Sequence, residues 1–517
     1  MDPILHGLAA AFNPTCLLWA AIGAVLGTVV GILPGLGPAA TVALLLPITL
    51  YLSPTLSLVL LAGIYYGAQY GGSTTSILLN IPGESASVVT CLDGYPLALQ
   101  GKAGQALAMA AIGSFIAGTI GLVLFTLAAR PLAEAGLAFG PPEQFMLMVG
   151  SLLVAGTFGE SVVRGVIAAL LGLLLSFVGA DPISGINRFV FGIPYLYDGF
   201  DFVPVAVGLF AIGEVFSYLW KREGLETHRI PPVGLRDLIP KMNELITSFW
   251  AMIRGSVVGF VTGVLPGMGA VPASFISYSL ERRVSKHPER FGKGAIEGVA
   301  APESANNGAV IGALLPMFSL GIPGSATTAM LLAGLMMWGL QPGPLLMSQH
   351  PEVVWPVIGS LYLANLVLLA INLPGAVFLA QIARIHPRWL MPIILGLSLT
   401  GAFAATGNIF GPFVAVVFGA IGLVFRRADY PLAPLLLGLV LGGAIEQNLR
   451  RSLVISQGNP AIFFTRPICI AIIFMTLVLL VAGNRLYRAG PRESKDVRQD
   501  EPQSPSSGPA DSHSVSI

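Results

Sequence analysis

The chain has 517 residues, 54% of them hydrophobic and only 10% charged, with 27 Lys and Arg against 26 Asp and Glu. A soluble domain carries roughly 25% charged residues, so an ordinary soluble protein is excluded. A formal net charge of +1, with no basic stripe interleaved with aromatics, gives nucleic acid no footing.

No Asp, Glu, Lys or Arg occurs between Asp2 and Glu84, an interval with room for about three crossings of roughly 20 residues each. The N-terminus lacks the charged start and the cleavage site of a removable signal, so it is expected to open the first helix. Apolar runs follow at 15–33, 38–52, 55–70, 104–128, 143–157, 162–180 and 201–219. A second set lies at 254–265, 269–280, 305–320, 326–340, 353–380, 389–405, 410–425, 431–446 and 462–483. Several are too short to cross a bilayer. The pattern predicts an all-α polytopic membrane protein of about 10–12 transmembrane segments, some of them broken or re-entrant. Its expected divisions are membrane repeat 1 over 1–220, a polar connector over 221–253 and membrane repeat 2 over 254–450. A C-terminal membrane helix over 451–488 and a disordered Ser/Pro/charged tail over 489–517 complete it.

The repeats announce themselves in wording. Gly31-Ile-Leu-Pro34-Gly35-Leu-Gly37 returns as Gly263-Val-Leu-Pro266-Gly267-Met-Gly269, and Asn80-Ile-Pro82-Gly83 returns as Gly321-Ile-Pro323-Gly324. Near the ends of the two halves, Pro204-Val-Ala-Val-Gly208-Leu209 resembles Pro434-Leu-Leu-Leu-Gly438-Leu439. Proline and glycine break helices, and in lipid a break is tolerated only where protein or a water-filled cavity covers the freed backbone. Paired breaks in two halves of a membrane chain point to a transporter's substrate site. Loop charge bears on orientation. The basic run 281–293 has an uncharged counterpart at 51–55, whereas Asp93-Gly-Tyr-Pro with Lys102 has a counterpart near Gln341–Pro344 that lacks Lys and Arg. Opposite bias in corresponding loops favours inverted repeats.

A helix that starts after Pro-Gly offers unpaired N–H groups and a partial charge of about +0.5, which suits an anion. Polar side chains cluster at both turns. Ser73, Thr74, Thr75, Asn80, Pro82, Gly83 and Ser85 are the substrate-site candidates of the first half. Asn306, Asn307, Pro323, Gly324, Ser325, Thr327 and Thr328 are those of the second. Hydroxyl and amide groups donate to a carboxylate, and amide and backbone carbonyls are hard oxygens for Na⁺. Two helix ends supply about +1 and no Arg or Lys lies in either motif, so a di- or tricarboxylate calls for co-transported Na⁺ or H⁺. Glu84 and Glu303, with Asn306 and Asn307, are the cation-coupling candidates; the two glutamates are alternatively helix N-cap partners. The Ser/Thr groups have a plainer role open to them as helix caps and packing groups, and Leu-Pro-Gly as helix punctuation. Cys16, Cys91 and Cys469 are isolated, and the six histidines form no metal-ligand spacing, so no cofactor is expected.

The wording of both halves resembles the large permease subunit of tripartite tricarboxylate transporters, the TctA family. The matching stretches are Gly31–Gly37, Tyr66-Gly-Ala-Gln-Tyr-Gly-Gly-Ser-Thr-Thr-Ser76, Asn80–Glu84, Asp93–Pro96, Pro302–Asn307, Gly321–Thr328 and Pro342–Leu345. The resemblance spans roughly 5–485. It implies a secondary transporter of the bacterial inner membrane that takes up citrate or other carboxylates. It also implies two partners, a small membrane subunit of about four helices and a periplasmic solute-binding protein. An ion or solute channel with polar re-entrant loops is the alternative. An intramembrane enzyme lacks a nucleophile system or paired acid in the sequence, and a scaffold would not need duplicated polar breaks.

Overall fold

The computed structural model describes residues 7, 9–33, 36–156, 161–181, 183–221, 234–265, 268–382 and 387–489. Among them, eight helices are long and apolar enough to cross a membrane. These are Pro14–Gly31, Ala103–Gly136, Phe202–Trp220, Met242–Val264, Pro351–Asn372, Arg388–Thr406, Phe410–Arg427 and Leu432–Ile455. Shorter apolar helices, among them Val162–Leu175 and Ala326–Met337, accompany them. The only sheet among the described residues is a two-residue ribbon, Gly179–Ala180 on Asn187–Arg188. The chain is an all-α polytopic membrane protein.

Seven helices position the site: α1 (Pro14–Gly31), α2 (Pro54–Leu79), α3 (Val88–Leu99), α4 (Ala103–Gly136), α5 (Met242–Val264), α6 (Glu297–Leu320) and α7 (Ala326–Met337). The helix α5 opens inside the polar stretch 221–253, and its Arg254 pairs with Glu281 at 2.7 and 3.0 Å. Of the tail expected over 489–517, Ala489 ends the last helix, Pro467–Ala489, and 490–517 lie outside the described residues, as do the break residues Pro34, Gly35, Pro266 and Gly267.

Glycines four residues apart weld α1 to α2. A Cβ at Gly23, Gly27 or Gly31 would collide with the backbone carbonyls of Leu60, Ile64 and Ala68. Gly63, Gly67 and Gly71 answer from α2 against the carbonyls of Ala20, Ala24 and Thr28. The second half repeats the device. Gly255, Gly259 and Gly263 of α5 rest on the carbonyls of Ala301, Ala305 and Ala309 of α6, and Gly308 and Gly312 answer against Ser256 and Phe260. Small residues at this spacing let membrane helices approach backbone to backbone, without a hydrophobic driving force between them.

The welds put α2 and α6 at the centre. Burial is unbroken from Ser57 to Leu79 and from Gly298 to Ser319. Neither helix is among the eight apolar spans, and with protein on every side neither needs a lipid-facing surface. Both end alike. Asn80 (φ 57°) and Gly321 (φ 74°) take the left-handed conformation, and the Ile-Pro-Gly that follows cannot continue the helix because proline lacks the N–H.

One expectation needs correction. Asp93-Gly-Tyr-Pro reads as a loop, yet it lies within α3, with Pro96 inside the helix. Asp93 is fully buried, and its Oδ1 accepts from the N–H groups of Gly292, Gly294 and Ala295 at 2.8–2.9 Å, while Oδ2 accepts from the Tyr278 hydroxyl at 2.8 Å. A charge serving this many donors is worth burying. The loop 181–201 contributes Asp181 and Arg188 to an ionic cluster with Glu446 and Arg450. Hydrogen bonding to Arg450 holds the Asp181 carboxyl well below the usual carboxylate range.

Because Gly259 has backbone on its open side and Gly37 has nothing within 4 Å, the two should respond differently to substitution. Gly259→Leu should cost about 2 kcal/mol or more and abolish the monodisperse peak in fluorescence-detected size-exclusion chromatography, whereas Gly37→Ala should leave it intact.

Candidate functional site

Each Ile-Pro-Gly turn runs into a helix closed by its own cap. After the first, a short 3-10 turn (Ser85–Ser87) leads into α3, and the Glu84 carboxylate accepts from the Ala86 N–H at 2.8 Å. After the second, Ser325 caps α7: its hydroxyl accepts from the Thr328 N–H at 3.2 Å, and the Thr328 hydroxyl accepts from the Ser325 N–H at 2.8 Å. The helix ends are therefore not bare. The first is filled by an internal carboxylate and the second by a neutral, half-buried hydroxyl.

The two turns are joined by exchange. The Asn306 amide of α6 donates to Glu84 Oε1 at 3.0 Å. The Tyr65 hydroxyl of α2 faces Ser325. A shift of 241 residues carries Tyr65 onto Asn306 and Glu84 onto Ser325, as it carries Ile81-Pro82-Gly83 onto Ile322-Pro323-Gly324. Each repeat's central helix thus reaches the other repeat's cap, as across a two-fold axis. Gln69 closes the layer: with its amide turned so that the nitrogen faces the acceptors around it, that nitrogen donates to the Glu84 oxygens at 3.0 and 3.1 Å and to Asn306 Oδ1 at 3.1 Å. All three residues are buried.

Around this layer the turns pack on glycine. A Cβ on Gly83 would overlap the Gly31 carbonyl, the Gly72 Cα and the Thr75 hydroxyl. The Gly83 N–H donates to the Gly72 carbonyl at 3.4 Å. Gly324 sits against the Gly263 carbonyl, with its own carbonyl 3.8 Å from where a Cβ on Gly269 would lie. Gly269 has φ 63°, which a larger residue resists.

A second polar group adjoins the first on α6. Glu303 accepts from the Thr90 hydroxyl of α3 through Oε1, and Asn307 donates to Ser114 of α4 at 2.7 Å and to the Glu303 carbonyl at 3.1 Å. No described residue forms an ion pair with Glu84 or Glu303.

Of the candidates, Glu84, Asn306, Gly83, Thr75, Gly324, Ser325 and Thr328 meet at these turns, and Glu303 and Asn307 lie one turn away on α6. Ser73 donates back to the Tyr70 carbonyl at 2.7 Å, and Thr74, Thr327 and Pro323 are buried without a bond to the layer. Pro82 is half-buried. Asn80 and Ser85 are exposed, on the outside of the first turn. Sequence reasoning missed Gln69, Tyr65, Thr90 and Ser114. Gln69 carried a signal, since it is the only amide or charged side chain from Asn13 to Asn80.

Residues 17–437, which hold both glycine welds and both turns, match the family model described as the tripartite tricarboxylate transporter TctA family. The chain belongs to that family. Two proteins of Agrobacterium vitis are similar to it. One, an uncharacterized 52.8 kDa protein in the TAR-I ttuC' 3'region, is 43% identical over 479 residues, or 92% of this chain and 94% of that one. The other, an uncharacterized protein in the TAR-II ttuC' 3'region, is 40% identical over 223 residues, or 43% of this chain and 92% of its own length. No solved structure matches. TctA is a transporter family, so the chain is a multi-pass transporter-family membrane protein, which points away from an enzyme.

If Glu84 and Asn306 depend on each other as the 3.0 Å bond implies, a double-mutant cycle of Glu84→Gln and Asn306→Leu should return a coupling of about 1–2 kcal/mol in thermal unfolding of the purified protein. Additive effects would mean that the bond carries nothing.

Proposed function

We propose that this TctA-family chain is the large permease subunit of a binding-protein-dependent secondary transporter in the bacterial inner membrane. It takes up tricarboxylates or related carboxylates with a Na⁺ or H⁺ gradient. Its partners are a small four-helix membrane subunit and a periplasmic solute-binding protein. The observation that carries this reading is the exchanged layer, in which two capped half-helices and three buried amide or carboxylate side chains converge at the join between the repeats.

Charge supports cation coupling. Two helix ends supply about +1, while Glu84 and Glu303, if ionised, bring −2 with no Lys or Arg paired to them. The layer is therefore negative before a carboxylate arrives, and an unneutralised carboxylate pair costs several kcal/mol to bury. The Ser325–Thr328 cap carries no carboxylate of its own, so it is the end at which a substrate carboxylate competes only with neutral hydroxyls. The internal cap of Glu84 makes the first end the weaker anion seat.

Orientation follows the same lines. Gln100 at the end of α3 donates to the Lys293 carbonyl at 2.9 Å, so Lys102 and the basic run 281–293 share one side. Shared basic charge assigns that side to the cytoplasm, which supports inverted repeats with central helices entering from opposite faces. An elevator-like movement of the two turns relative to the outer helices fits such a pair.

In cells that carry the whole system, Asn306→Leu or Thr75→Leu should abolish uptake of radiolabelled citrate or a related carboxylate, with membrane insertion unchanged. Wild-type uptake should collapse when both the sodium and the proton gradients are dissipated. Wild-type rates in both variants would remove the layer from the pathway, and downhill flux without any ion coupling would favour a channel.

A further inference from the structure

The two buried glutamates are not equivalent. Both oxygens of Glu84 have donors, whereas Glu303 Oε2 and, one turn on, Asn307 Oδ1 have none. Both residues are fully buried, and residues four apart share a helix face. Both orphaned atoms are acceptors. Leaving each bare costs about 1–3 kcal/mol, more for the charged one. Three neighbouring hydroxyls are engaged elsewhere: Tyr70 donates to Asn365 at 2.8 Å, Ser76 is bonded to Gly72 and Ser87, and Ser87 to Glu84. The Ser304 hydroxyl, next along α6, is itself without a partner among the described residues.

We propose that Glu303 Oε2 and Asn307 Oδ1, together with the hydroxyl oxygens of Thr90 and Ser114, seat a sodium ion between α3, α4 and α6. The inference rests on the transport reading above and deepens it by fixing which carboxylate binds the ion. A carboxylate, an amide carbonyl and two hydroxyls form a hard-oxygen set, the ligand type that small non-transition cations take. The ion supplies the positive charge that Glu303 lacks and satisfies both orphaned atoms at once. The seat is single. The 241-residue shift places Ala62 and Tyr66 of α2 at the corresponding positions, and the Tyr66 hydroxyl is bonded to Asn365 at 2.7 Å, so the first repeat has no matching oxygen pair. The seat also lies beside Asn306, whose amide holds Glu84. Ion occupancy is thereby transmitted along one turn of α6 to the layer where the repeats exchange contacts.

The test uses the purified full chain in lipid nanodiscs, without substrate or partner proteins. Thermal unfolding is followed across a NaCl series against choline chloride at constant ionic strength and fixed pH. Sodium should raise Tm saturably in the wild type. Glu303→Gln and Asn307→Ala should weaken the apparent sodium affinity about tenfold or more. Asn448→Ala, which removes an orphaned buried amide oxygen on another helix, should keep the full response. If Glu303→Gln does not fold, Thr90→Val and Ser114→Ala give the same comparison. Sodium no better than choline, an unaltered response in the seat variants, or a wild-type Tm that follows pH and ignores sodium would overturn the proposal. A normal sodium response in a protein that transports no carboxylate would sink the transport reading and leave the ion seat standing.

Discussion

Two helices surrounded by protein on every side must satisfy their polar groups among themselves, and this constraint governs the rest of the molecule. The glycine ladders impose it. By bringing α1 onto α2 and α5 onto α6 with backbone carbonyls against bare Cα atoms, they remove the central helices from lipid. Helices placed there are free to carry Gln69, Glu303, Asn306 and Asn307, none of which would be tolerated on a lipid-facing surface. Polar function at mid-protein is thus a consequence of small residues on the outer partner helix.

The same constraint explains the exchange between repeats. Each cap at an Ile-Pro-Gly turn is also met by a side chain of the opposite half: Asn306 by hydrogen bond to Glu84, Tyr65 facing Ser325. The geometry is symmetric while the chemistry is not. One turn holds a carboxylate and an amide, the other a hydroxyl and a phenol. Identical turns would offer two equal anion seats. Here one is internally occupied and the other neutral, which on the proposed reading makes the neutral turn the substrate's end and leaves charge compensation to the other. Movement of either repeat against the other must break and remake these contacts, so occupancy and conformation are linked through the layer.

Much of this architecture was legible in the sequence, because proline and glycine act locally. Leu-Pro-Gly and Ile-Pro-Gly mark breaks whatever surrounds them, and the duplicated wording located both turns and the inner ends of α2 and α6. The glycines at 23, 27, 31 and at 255, 259, 263 were equally visible, but their partners across the weld are backbone atoms that no pattern names. The cross-repeat contacts were hidden for a different reason. Asn306 and Tyr65 differ in type, as do Glu84 and Ser325, so the repeat does not announce itself at the residues that make the join. Asp93 misled because Asp-Gly-Tyr-Pro has the composition of a turn, while its helix is held by three backbone donors some 200 residues away.

The central claim is that carboxylate binds where the two repeats exchange contacts. A cryo-electron microscopy map of the chain in nanodiscs with saturating tricarboxylate and NaCl tests this most directly. The account predicts ligand density against the Ser325–Thr328 cap, within hydrogen-bonding distance of the Glu84–Asn306 layer. Density confined to a cleft among the outer helices, with that layer unchanged and remote from it, would contradict the account.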